Sequence, residues 1–144
     1  MQKTVFTFGR PISGWLPVKI KVNDFQLEFE VSDLGLNVID QLAEMVLKLE
    51  SNLNSQCYFY LEPAAYVVVV EPEFEIALLR IKFVSEFDNE DISETKILLE
   101  QRIDLSIFKM SVIKALRDFQ NLEYEQDDWP LPKDPEQLHR VLAS

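Results

Sequence analysis

The chain of 144 residues has few of the residue types from which most catalytic and metal sites are built. It has one histidine, three glycines and one cysteine, Cys57, which cannot form an internal disulfide and so fits a reducing cytoplasm. Zinc sites need several Cys or His ligands, and a phosphate-binding loop needs more glycine. We therefore predict no metal, no cofactor and no catalytic residue, and expect that the protein is not an enzyme.

Positive charge and long apolar runs are also scarce. Lys and Arg number 14 against 25 Asp and Glu, which gives a net charge of −11. This excess disfavours broad binding to nucleic acid or to an anionic membrane surface. No apolar run is long enough to span a bilayer, and residues 1–11 lack the pattern of a secretion signal. We expect a cytoplasmic protein with neither nucleic acid nor membrane as a partner.

The hydrophobic content is sufficient for a folded core. Hydrophobic residues make up 47% of the chain and aromatic residues 11%, and no internal repeat is present. We predict a single domain over residues 1–144. Residues 123–144 form its end, an acidic turn with prolines followed by a short docking helix that starts after Asp134.

The hydrophobic periodicity predicts strands first and a helix next. Residues 18–22 and 25–31 alternate around Asn23-Asp24, which predicts a β-hairpin with Lys19 opposite Glu28. Residues 37–52 change to helical spacing, with Asn37 as the N-cap.

The second half of the chain repeats this order. Four short apolar stretches between residues 56 and 103 predict an antiparallel meander, because the linkers are too short for helical crossovers. Residues 105–122 form a second helix capped by Asp104. The predicted fold class is α+β: an antiparallel sheet of about six strands, two main helices on one face and a short C-terminal helix.

Clustered carboxylates are the feature that points to a partner. Two acidic segments, at residues 86–94 and 123–128, contain no lysine or arginine. Such clusters suit a basic protein partner and speed its encounter electrostatically, although they also keep a small protein soluble. The predicted partner-binding residues are Asp88, Glu90, Asp91, Glu94, Tyr124, Glu125, Asp127, Asp128 and Trp129.

Two other interpretations of these residues stay open. Trp129, like Trp15, is either an anchor for one end of the chain or a binding hot spot. Tyr58, Tyr60 and Tyr66 either cover a sheet face or line a cleft for a small ligand between sheet and helix. The oligomeric state, monomer or homodimer, depends on whether the edge strands pair with a second copy.

The chain resembles a family of small uncharacterised bacterial α+β proteins. The similarity lies in residues 15–22, in residues 29–34 with the helix after them, in the helix of Leu105, Phe108 and Val112, and in the tail at residues 129–132. It spans most of the chain and involves packing residues. It implies a bacterial domain of unknown function, of a kind sometimes placed beside toxin–immunity systems. The leading hypothesis is an acidic immunity-type inhibitor.

Overall fold

The structure is a computed structural model that describes residues 3–86 and 95–143. The described residues form seven strands and three helices in an α+β arrangement. In chain order these are β1 (Thr4–Phe8), β2 (Trp15–Val22), β3 (Phe25–Ser32), α1 (Val38–Glu50), β4 (Ser55–Tyr60), β5 (Ala65–Glu73), β6 (Ile76–Val84), β7 (Thr95–Asp104), α2 (Leu105–Gln120) and α3 (Pro135–Leu142).

The first three strands form an antiparallel sheet with one apolar face. The predicted hairpin is present, with Lys19 opposite Glu28 and their charged groups 3.4 Å apart. Phe6, Ile20 and Leu27 share a row on the inner face, while Lys19, Lys21, Glu28 and Glu30 are exposed on the outer face. Strict alternation buries one side of a strand and exposes the other, which explains why the sequence pattern predicted this sheet.

The loop between β1 and β2 ends in a tight two-residue turn. Ile12 and Trp15 exchange two backbone hydrogen bonds of 3.0 Å around Ser13 and Gly14. Both turn residues have positive φ, 51° at Ser13 and 84° at Gly14. Positive φ at both central residues is the requirement of a type I′ turn, whose twist matches that of the strands it joins. At Asn23-Asp24, where a primed turn was predicted, only Asn23 has positive φ.

Strands β4 to β7 form the predicted antiparallel meander, in the order of the sequence. The four consecutive valines lie on the central strand β5, and three of them, Val67, Val68 and Val70, are buried. A strand with neighbours on both sides and side chains covered on both faces reads as a continuous apolar run. That explains why alternation is lost at this point of the sequence.

The prediction of one sheet of about six strands is wrong, because the described residues form separate sheets of three and four strands. Residues 4–8 add a strand that the sequence analysis missed. At the boundary, the Gln41 side chain of α1 donates to the Tyr58 carbonyl (2.9 Å) and accepts from the Tyr58 N–H (2.8 Å). These bonds satisfy the outward-pointing backbone groups of Tyr58 on the outer edge of β4, where β3 does not pair.

Aromatic side chains, not backbone bonds, join the two sheets. The Phe29 ring lies 5.4 Å from that of Phe59 and 4.7 Å from that of Tyr66, measured between centroids. At the opposite edge of the first sheet, α2 packs against β1 through Phe6 and Phe108, whose centroids are 5.7 Å apart. Because α2 also contacts β6 and β7, it links the two sheets.

Each helix begins where the sequence predicted it. The side chains of Asn37, Asp104 and Asp134 accept hydrogen bonds from the backbone N–H of Ile39, Ile107 and Gln137, respectively. Such N-caps satisfy donors that have no partner inside the helix. Below the helices one core runs through both sheets, and its largest fully buried side chains include Leu16, Ile20, Leu42, Phe59, Ile81, Phe108 and Trp129.

Candidate protein-interaction site

Three loops from distant parts of the sequence are held together by hydrogen bonds. They are residues 10–14 between β1 and β2, residues 33–37 between β3 and α1, and residues 123–134 between α2 and α3. We refer to them together as the three-loop surface. Loops tied to one another in this way present side chains in fixed positions, which lowers the entropy cost of binding a partner.

Asp128 ties the acidic tail to the type I′ turn. Its carboxylate accepts from the Ser13 N–H (2.9 Å), and its backbone carbonyl accepts from the Gly14 N–H (2.8 Å). The Gly14 carbonyl in turn accepts from the Asp33 N–H (2.9 Å). Glycine suits position 14 because of its positive φ, and a Cβ there would lie 2.9 Å from the Asp33 carboxylate, which would have to shift.

Asn37 ties the same tail to the start of α1. Its amide nitrogen donates to the carbonyls of Pro130 (3.3 Å) and Leu131 (3.5 Å). Its amide oxygen caps the helix and also accepts from the indole N–H of Trp129 (3.4 Å). One turn further on, the Asp40 carboxylate accepts from the backbone N–H groups of residues 133 and 134, at 2.8 and 3.1 Å.

The joined loops expose four large aliphatic side chains. The exposed fractions are 65% for Ile12, 73% for Leu34, 66% for Leu36 and 56% for Leu131. A single exposed leucine needs no explanation, but four exposed aliphatic side chains on loops that are bonded to each other are candidates for contact with a protein partner.

The charge of the three-loop surface is negative. Its sequence contains six acidic residues and two basic ones, Arg10 and Lys133. Glu123, Glu125 and Asp127 are exposed, whereas Asp33 and Asp128 are half-buried at the turn. Carboxylates around exposed aliphatic groups favour a partner that combines cationic and apolar side chains.

The structure gives different roles to the residues predicted to bind a partner in the tail. Glu125 and Asp127 are exposed, and Asp128 positions the turn. Tyr124 is half-buried with its ring 5.3 Å from that of Phe119, and burial raises the pKa of its hydroxyl. Trp129 is fully buried, so its side chain is an anchor in this structure and offers no surface to a partner. Asp88, Glu90, Asp91 and Glu94 lie outside the described residues.

The three tyrosines of the ligand hypothesis do not line one cleft. Tyr66 pairs with Phe59 on the inner face of the second sheet, whereas Tyr58 and Tyr60 have the opposite parity on β4. Tyr58 lines a depression of about 200 Å³ together with Gln41, Gln56 and others. A larger groove of about 780 Å³, between β1 and α2, has none of the three tyrosines among its lining residues. Residues that face opposite sides of a strand cannot contact the same ligand.

The one cysteine and the one histidine of the chain lie in different environments. Cys57 is fully buried and burial raises the pKa of its thiol well above the ordinary value, while His139 is exposed on α3. Within residues 3–86 and 95–143, no group of three or more Asp, Glu, His or Cys side chains could hold a metal ion. No helix in that part of the chain is long and apolar enough to cross a membrane.

Comparisons with known proteins assign this chain to no family. No family model matches the chain, and no curated protein matches it significantly. The chain is similar to one from the CdiA-CT/CdiI toxin and immunity complex of Enterobacter cloacae, with 18% identity and a TM-score of 0.49 over 85% of this chain and 100% of that one. At this identity and TM-score, the similarity does not transfer a function.

The acidic residues of the three-loop surface were predicted from the sequence to bind a partner, whereas its exposed aliphatic residues were not predicted. Ile12, Leu34, Leu36 and Leu131 belong to neither a strand alternation nor a helical stripe. An aliphatic residue outside both periodicities, beside Gly or Pro, was the available signal. It could not show that four such residues belong to loops that fold against one another.

Proposed function

We propose that the protein is a non-enzymatic interaction domain that binds a basic protein partner through the three-loop surface. The observation that carries the proposal is the exposure of Ile12, Leu34, Leu36 and Leu131 on loops whose backbones are fixed by Asn37 and Asp128. Exposed aliphatic groups on a fixed backbone cost little entropy to bury, so they supply affinity. Their carboxylate neighbours supply attraction at a distance and selectivity for cationic groups.

An inhibitor role follows from the chemistry of such a partner. A basic enzyme that acts on a polyanion presents a cationic surface to its substrate, and an acidic protein with a matching surface competes for it. The immunity-type inhibitor of the leading hypothesis is a protein of this kind. The sequence resemblance to small bacterial proteins motivates that finer assignment, and the loop geometry supports the coarser one, binding of a protein partner.

Affinity capture with two matched variants tests the proposal. The chain is immobilised and exposed to an extract of its source cells, alongside a double variant, Ile12→Ser with Leu34→Ser. The control is Leu53→Ser, which removes a leucine of comparable exposure, 55%, from the loop after α1. We expect a protein of basic isoelectric point that is retained by the wild type and the control, lost from the double variant and released by high salt.

Three results would contradict the proposal. They are a retained protein that is acidic, a protein retained equally by all three baits, and retention that high salt leaves unchanged. Inhibition is measured separately, by assaying the purified partner's own activity with increasing amounts of the chain. A partner that binds the three-loop surface but keeps full activity would support the interaction and reject the inhibitor role.

A further inference from the structure

The β7 strand forms the outer edge of the four-stranded sheet. It is ten residues long and five of these residues are exposed, including Ile97 at 53%. The opposite edge, on β4, is bonded by Gln41 as described above. An edge strand of this length with an exposed aliphatic side chain is a template for pairing with another strand.

The backbone geometry fixes which residues of β7 face outward. The Leu105 N–H donates to the Glu75 carbonyl at 2.9 Å, which makes these two residues a hydrogen-bonded pair. Every second pair along the two strands is of the same kind, namely Ala77 with Ile103 and Leu79 with Gln101. In an antiparallel ladder, hydrogen-bonded pairs alternate with pairs whose backbone N–H and C=O groups point away from each other, toward the neighbouring strand or the open edge. The backbone groups of Glu100 and Arg102 therefore point toward the open edge.

The charges on β7 favour one register for this edge over its two nearest alternatives. We propose that β7 pairs antiparallel with β7 of a second copy, around a two-fold axis at Gln101. Glu100 then lies opposite Arg102 of the partner, and Arg102 opposite the partner's Glu100, on the outer face of the sheet. Moving the axis to Glu100 or to Arg102 places like charges opposite each other, which destabilises a cross-strand pair.

The side chains that meet in this register are exposed. Glu100 and Arg102 are 50% and 61% exposed as side chains, and each also pairs within its own chain, Glu100 with Arg80 (2.7 Å) and Arg102 with Glu73 (3.9 Å). Although the whole chain is acidic, β6 and β7 contain four basic and two acidic residues, so the negative excess of the chain is not located on these two strands.

A cysteine scan along β7 tests the register. At Gln101 the two copies' Cα atoms form a non-hydrogen-bonded pair about 4.5 Å apart, which is within disulfide range. We expect Gln101→Cys to give a covalent dimer on mild oxidation, and the matched variant Ile97→Cys, exposed on the same strand, to stay monomeric on a non-reducing gel. The native Cys57 is fully buried and common to both variants. Cross-linking of Ile97→Cys instead, or of both variants equally, would overturn the register.

The mass of the protein in solution tests the association itself. Sedimentation analysis of the wild type at roughly 100 μM should show a dimer in equilibrium with monomer. Arg102→Glu puts two Glu–Glu pairs across the axis and should weaken association at least about tenfold. Lys96→Glu makes the same charge change on the same strand outside these pairs, and we expect a change of less than about threefold.

Two results would overturn the proposal: a wild type that is monomeric throughout this range, or a dimer that both charge variants weaken equally. A circular dichroism melt of each variant shows whether it is folded. If Arg102→Glu does not fold, the cysteine scan still tests the proposed register. The proposal is independent of the three-loop surface, because it uses no residue of that surface.

Discussion

At the scale of single residues, Asn37 combines two roles that the sequence could show only in part. Asparagine before a helical stripe predicts an N-cap, and Asn37 caps α1 as predicted. Its bonds to Trp129, Pro130 and Leu131 join residues more than 90 positions apart. Local pattern holds no information about such contacts, so the residue's part in forming the three-loop surface was not predictable.

Replacing Asn37 separates these two roles. Asn37→Ala removes the cap and every amide bond to the tail, and we expect the free energy of unfolding to fall by about 2–3 kcal/mol. Asn37→Ser keeps a cap acceptor but is too short for Trp129, so it should recover about 1 kcal/mol of that loss. Urea unfolding of both variants measures the difference. Equal losses for Ala and Ser would show that the cap contributes nothing.

The buried thiol of Cys57 predicts a pH dependence of stability. Burial raises its pKa in the folded state, while in the unfolded chain the thiol ionises with a pKa of about 8.5. Above that pH the unfolded state loses a proton that the folded state keeps. Stability from this group is therefore complete below about pH 8 and falls above it by up to about 1.4 kcal/mol per pH unit.

Comparison with Cys57→Ala isolates the effect of the thiol. Tyrosine and lysine titrations are common to both proteins, so the difference between their unfolding free energies, followed from about pH 7 to pH 10, reports the thiol alone. We expect the wild type to lose stability more steeply than the variant. Parallel curves would mean that the thiol ionises equally in both states.

At the scale of elements, hydrophobic periodicity predicted which residues form each strand and helix. It did not predict how the side chains of one element contact the edge of another. The hairpin, the meander and the helix starts follow from alternation, from Asn, Asp and Pro, and from short linkers. The outer edge of β4 is bonded by Gln41, whose place on the polar side of a helical stripe indicates a solvent-facing residue. Only the packed structure shows that its side-chain amide forms hydrogen bonds with the backbone of Tyr58, on the edge of β4.

Loss of that amide should loosen the edge of β4. Gln41→Ala removes two hydrogen bonds from Tyr58, and we expect a loss of about 1–2 kcal/mol in unfolding free energy and faster hydrogen exchange at the Tyr58 amide. Glu44→Ala on the same helix removes only an exposed pair with Lys48 at 3.2 Å, and should cost less than about 0.5 kcal/mol. Unchanged exchange at Tyr58 in Gln41→Ala would contradict this account of the sheet boundary.

At the scale of the whole molecule, charge and topology act together. Net charge and the clustering of the tail carboxylates are readable from the sequence. The contact of Asp128 with the turn at Ser13 and Gly14 depends on the chain returning, after both sheets and α2, to the loops near its beginning. The bond between buried Trp129 and Asn37 accompanies that return, and no local pattern encodes such a long-range contact.

The central claim is that the three-loop surface binds a protein, and hydrogen–deuterium exchange of the chain with its captured and purified partner tests it most directly. We predict that binding slows exchange at residues 10–14, 33–37 and 123–131 and leaves the outer face of the first sheet, around Lys19 and Glu28, unchanged. Slower exchange on that outer face, with none in the three loops, would contradict the claim.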